Sequence, residues 1–125
     1  MSCVSAVCLV PKFAIVTNVA LALESGQLTP STWSTMSDDE IALQLISISG
    51  IGRWTSQMFL IFHLHRADIL PLSDGGLLKA SNLNYGSVKP LSEEEIEKIT
   101  QVWQPYRTVA TWYLWRSLDP IPVQY

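Results

Sequence analysis

The stretch Ser49-Gly50-Ile51-Gly52-Arg53 separates two apolar runs of helical period by a connection too short for anything but a tight turn. On its N-terminal side, Ser37-Asp38-Asp39-Glu40 has the spacing of a capping box, in which a serine oxygen accepts from the amide three residues on and the glutamate reaches back. Ile41, Leu43, Leu45, Ile46 and Ile48 follow it. On its C-terminal side, Trp54, Met58, Ile61 and Phe62 recur at helical spacing between Arg53 and His65. The pattern predicts helix, hairpin, helix over residues 38–65, with one residue of the turn at positive φ. A glycine-flanked turn that opens a helix exposes consecutive backbone N–H groups at the positive end of a dipole, which can hold a phosphate without a lysine cluster. Taken alone, the same pattern also fits an ordinary turn between two helices.

The rest of the chain reads as helix and loop. Ala14 to Glu24 is helix-like, Gly26 is placed to close it, and a polar loop follows. Residues 66–73 form a loop broken by Pro71, and Asp74-Gly75-Gly76 opens another helix. Ser92-Glu93-Glu94-Glu95 is a second capping box, starting a helix through Trp103. Pro105 suits the first turn of a last helix, which runs to about Leu118 before Asp119-Pro120-Ile121-Pro122 stops it. Period-two alternation is nowhere sustained, so the expected fold class is all-α with about six helices. At 125 residues and 48% hydrophobic, a single helical domain over 1–125 is expected.

Charge gives no global sign of a polyanion partner: the net charge is −3 and only 15% of residues are charged. Cys3 and Cys8 can neither staple a core nor complete a four-ligand metal site, which suits a reducing compartment. His63 and His65, two apart on a helix, point to different faces and are not expected to share a metal. No run approaches the roughly 20 apolar residues of a membrane span, and the expectation is a soluble, intracellular protein without a membrane partner.

Leu70-Pro71-Leu72-Ser73-Asp74 places one carboxylate at the end of a proline-containing loop and the start of a helix. A carboxylate there can be a helix cap and nothing more. It can also stabilise the oxocarbenium ion that develops on a sugar when a glycosidic bond breaks, or orient the attacking water.

Four blocks in order, Gly50 to Thr55, Met58 to Phe62, Ile69 to Asp74 and Trp103 to Ala110, resemble the 3-methyladenine DNA glycosylase II family of helix-hairpin-helix glycosylases. The resemblance runs from about Lys12 to Leu118. It implies a monofunctional base-excision repair hydrolase that cleaves the N-glycosidic bond of alkylated purines in duplex DNA. It makes Asp74 the catalytic carboxylate and the amides of Gly50, Gly52 and Thr55 phosphate contacts, with Trp54 and Trp115 as aromatic walls of the base pocket. No cofactor is implied beyond a structural Na+ or K+ held by the backbone carbonyls of Ile46, Ile48 and Ile51. Bifunctional relatives carry a nucleophilic lysine where Trp54 stands, so Schiff-base chemistry is not implied. The compartment would be the bacterial nucleoid or the eukaryotic nucleus. The other tryptophans, Trp33, Trp103 and Trp112, are assigned to core packing.

The chain resembles only the C-terminal half of the family's domain, and the N-terminal helices of the usual domain are not expected in it. Ser73, Gly75 and Leu78 also depart from residues usual around the aspartate, and the glycine pair is expected to loosen the helix start. Two other readings follow. One is a non-catalytic helix-hairpin-helix DNA-binding module or half-domain completed by a homodimer or a second chain. The other is a helical interaction protein that has lost DNA contact.

Overall fold

The computed structural model describes residues 11–86 and 88–119; Cys3 and Cys8 lie outside them. Six α-helices are described, α1 (Lys12–Ser25), α2 (Asp38–Ile46), α3 (Arg53–Phe62), α4 (Gly75–Tyr85), α5 (Glu93–Thr100) and α6 (Arg107–Arg116), with 3-10 turns at Pro30–Thr35 and Gln101–Trp103. Strands are absent among the described residues, so the all-α expectation holds. Among the same residues, no helix is long and apolar enough to cross a membrane, and no three His, Cys, Asp or Glu gather as a metal cluster.

Local chemistry sets most helix ends. Ser37 and Ser92 each form the complete capping box, accepting from Glu40 N and Glu95 N while those glutamates reach back. Gly26 closes α1 in the left-handed region at φ 82°. Several segments differ from the sequence reading. The helix from Ser92, expected to run through Trp103, ends at Thr100 and tightens into the 3-10 turn Gln101–Trp103. The segment Pro30–Thr35, read as loop, winds into a 3-10 turn with Pro30 at its first position. α3 stops at Phe62, and His65, at φ 53°, has left the helical region. The last helix begins at Arg107 and not at Pro105. The loop at 66–69 supplies the acceptors there: Asp68 Oδ1 takes the Arg107 amide and the Ala67 carbonyl takes that of Thr108.

The chain divides into two compact units, Met1–Leu60 and Ile61–Tyr125. The first is built on Ala22, Leu28, Trp33, Ile41, Leu45, Ile48 and Leu60, all nearly inaccessible. Trp33 meets Phe59 edge-on, with centroids 5.4 Å apart, and its indole N–H donates to Gln44 Oε1 at 2.9 Å, so the one polar atom of this core side chain is satisfied. In the second unit, α4 packs on α6. Leu70, Leu72, Leu77, Ala80, Ile96 and Leu114 form the cluster between loop and helices, with Trp103 packed against it.

Candidate active site and hairpin

In the first unit, the hairpin departs from helix at Ser47, turns through Gly50 at φ 98° and re-enters helix at Arg53. The requirement for glycine at Gly50 is internal. A Cβ there would lie 2.5 Å from Ile15 Cγ1, so α1 closes down on the turn and leaves no room for a side chain. At Gly52 a Cβ would meet nothing within 4 Å, so this position is open to approach from outside. The α3 ladder starts with Ser56 N donating to Gly52 O at 3.1 Å, which leaves the earlier first-turn amides outside the helix's own bonding. Trp54 and Thr55 stand exposed on that turn, Trp54 by 49%. Side chains of α1 and the following loop brace the turn from behind: Asn18 Nδ2 donates to Ser49 O at 3.1 Å and Gln27 Nε2 to Ser47 Oγ at 2.9 Å. Of the carbonyls expected to hold a cation, that of Ile46 ends α2 and that of Ile48 accepts the Ile51 amide at 3.1 Å.

In the second unit, Asp74 is the N-cap of α4. Its Oδ2 accepts from Leu77 N at 2.9 Å and from the Trp115 indole N–H at 2.8 Å. The structure thus brings Asp74 and Trp115 together, and it adds a task to Trp115: the ring holds the carboxylate as well as offering apolar surface. The Trp115 ring also lies parallel to that of Phe62, with centroids 5.9 Å apart, and meets Trp112 edge-on at 5.5 Å. Trp112, assigned to the core from sequence, is half exposed, because α6 turns it to the aromatic group with Phe62 instead of to the Leu77 cluster.

The two glycines after Asp74 differ in role. A Cβ at Gly76 would sit 3.1 Å from Asp74 Oδ2 and 3.3 Å from Trp115 Nε1, so this glycine makes room for the hydrogen bond between them and does not merely loosen the helix. Gly75 has open space around it and no positive φ. Gly75→Ala is therefore expected to stabilise the fold by about 0.5–1 kcal/mol, chiefly by restricting the unfolded chain, and a higher urea midpoint at unchanged slope checks it.

The loop that carries Asp74 is clamped at its other end by residues that the sequence reading passed over. Arg107 Nε and Nη2 donate to Asp68 Oδ1 and Oδ2 at 2.8 and 3.1 Å. Thr108 Oγ1 donates to Arg66 O at 2.6 Å and accepts from Ile69 N at 2.8 Å. Beyond them, Ile69, Leu70, Pro71 and Leu72 are buried and the Asp74 amide closes a turn on Pro71 O at 2.9 Å. One helix, α6, thus grips the loop at its start through Arg107 and Thr108 and at its end through Trp115. The only sequence signal was the presence of Arg107-Thr108 in one of the four blocks.

Hydrogen bonding to the Arg107 guanidinium holds the Asp68 carboxyl below the usual carboxylate range, against the opposing effect of burial. The unfolded chain therefore takes up this proton first as pH falls. The stability that the pair contributes is present above about pH 4, the unfolded value, and is lost as pH drops toward the lower folded value. Asp68→Asn is expected to lower the melting temperature at pH 7, with the gap to wild type closing below pH 4; a constant gap would contradict this account.

No family model matches the chain. An alkylbase DNA glycosidase-like protein of Schizosaccharomyces pombe is 42% identical over 81 residues, which are 65% of this chain and 38% of that protein. The crystal structure of a DNA-3-methyladenine glycosidase from Bacillus halodurans superposes with a TM-score of 0.80 at 31% identity, over 90% of this chain and 52% of that one. A 3-methyladenine DNA glycosylase of Schizosaccharomyces pombe in complex with abasic DNA gives 0.74 at 29% identity, over 98% of this chain and 63% of that one. The chain therefore spans less than two thirds of each of these proteins.

Proposed function

Because the chain belongs with the 3-methyladenine DNA glycosylases of helix-hairpin-helix type, we propose that it acts on alkylated purines in duplex DNA, with Asp74 as the residue that supports cleavage of the N-glycosidic bond. The observation that carries the proposal is the fixing of one carboxylate oxygen by two N–H donors, Leu77 N and Trp115 Nε1. An anion held in this way is preorganised toward the positive charge that develops on deoxyribose as the bond breaks, and can orient the water that completes hydrolysis. A purine alkylated at a ring nitrogen is already cationic, so its departure needs no strong general acid. It also suits stacking of a flipped base on an aromatic surface, such as the Trp115 ring beside Asp74; Trp54 is proposed for the same role on its own unit.

The amides of the hairpin, at Gly50, Gly52 and Thr55, are the proposed hold on the DNA backbone. Open space at Gly52 and the outward-facing first turn of α3 support that role. A monovalent cation on the carbonyls of Ile46, Ile48 and Ile51 would brace the turn and add positive charge beside the phosphate. With Trp54 in the place of a lysine, the reaction proposed is hydrolysis alone. The working compartment is the one that holds the genome.

The test is release of methylated purine from alkylated duplex DNA by this 125-residue chain, beside a measurement of duplex affinity. Release supports the proposal. Affinity without release identifies a binding module. Neither affinity nor release overturns both.

A further inference from the structure

α1 has two apolar faces. One serves its own unit: Ile15 packs at Gly50, Asn18 binds the Ser49 carbonyl, and Ala22 is buried. The other is bare. Phe13, Val16 and Leu23 are 74%, 68% and 47% exposed, and Ala20 is exposed between them. Positions 13, 16, 20 and 23 alternate three and four residues apart, the spacing of the apolar seam with which two helices pack side by side. A helix that is apolar on opposite faces is normally covered on both.

The order of residues along this seam makes it complementary to itself. Rotation about a twofold axis at the level of Asn18 sets a second, antiparallel α1 with Leu23 opposite Phe13 and Ala20 opposite Val16. The large residues then meet at the ends and the smaller ones at the centre, where the backbones must come close. The same rotation brings the exposed Lys12 to the level of Glu24 of the second copy, at both ends of the pair. A parallel arrangement would instead bring lysine to lysine and glutamate to glutamate. From this complementarity of size and charge, we propose that the outer face of α1 is a self-association surface through which two copies of the chain pair as antiparallel helices.

This inference does not depend on the glycosylase reading. α1 has 14 residues, so the seam is about 21 Å long and the contact falls at the small end of specific interfaces. A weak, reversible association is expected from a contact of this size. An isologous contact of this kind closes on itself, so assembly stops at the dimer.

Sedimentation velocity of the full 125-residue chain, from low to several hundred micromolar, should show a monomer–dimer equilibrium. Ala20→Glu places two like charges near the axis and should weaken it by at least about a hundredfold. Because Ala20 is exposed, the circular dichroism of that variant should match wild type. Register is read by disulfide trapping with Cys3 and Cys8 replaced by serine. An equimolar mixture of Val16→Cys and Ala20→Cys chains should cross-link as the unlike pair, and Val16→Cys alone should not. A chain that stays monomeric throughout would overturn the proposal and leave the face to a helix of another protein or of further chain. A dimer indifferent to Ala20→Glu, or one that cross-links through Val16→Cys alone, overturns it equally, the second result by showing a parallel pair.

Discussion

Asp74→Asn is expected to leave the start of α4 in place while lowering methylated-base release by at least about a hundredfold. The two effects separate because the Leu77 amide and the Trp115 indole both donate to one oxygen of the carboxylate, Oδ2. An asparagine that keeps its carbonyl oxygen at that point retains both bonds, and asparagine caps helices about as well as aspartate. Stability should therefore change by less than about 1 kcal/mol. What disappears is the negative charge, the only part of the group that can oppose a developing oxocarbenium ion. Urea unfolding and base release, measured on one preparation, check the two halves. Equal release from variant and wild type would remove Asp74 from the chemistry, and a collapse of stability would show that the charge itself maintains the cap.

Gly50→Ala is expected to cost about 2–4 kcal/mol of stability. Two penalties add at this position: a φ of 98°, which alanine adopts only with strain, and a Cβ 2.5 Å from a carbon of Ile15. Ile15 sits on α1 and is only partly exposed, so relief requires its side chain to leave its rotamer or the helix to draw back from the turn. Gly52→Ala meets neither obstacle and should stay within about 1 kcal/mol of wild type. If the hairpin binds phosphate, a bulkier Gly52→Val will lower duplex affinity without a matching loss of stability. Chemical denaturation of the two alanine variants decides the structural half. A Gly50→Ala protein as stable as wild type would mean that α1 does not press on the turn.

What the sequence disclosed and what it concealed follow from the range of the interactions involved. The capping boxes at Ser37 and Ser92 and the closing Gly26 were legible because each partner lies within a few residues of the other. The hairpin was legible for the same reason, since a two-glycine turn between apolar runs is a local pattern. The clamp of Asp68 on Arg107 joins residues 39 apart, and the bond from Trp115 to Asp74 spans 41. No periodicity reports such pairs, because α6 and the loop are brought together only by tertiary packing within the second unit. The start of α6 was misplaced on Pro105 for that reason: the acceptors that fix it belong to a distant segment. Trp112 shows the converse, for a large aromatic residue on a helix reads as core whether it faces the Leu77 cluster or an exposed aromatic group.

The bond between Trp115 and Asp74 also equips the chain with a reporter of its own. A proton on the carboxylate, or a cation placed beside it, alters the pull on one indole hydrogen, and indole resonances lie in an uncrowded region of the spectrum. Of the five tryptophans, the one whose signal moves in Asp74→Asn is thereby assigned. The protonation of the carboxylate can then be followed through that single line, in the resting protein and without any DNA present.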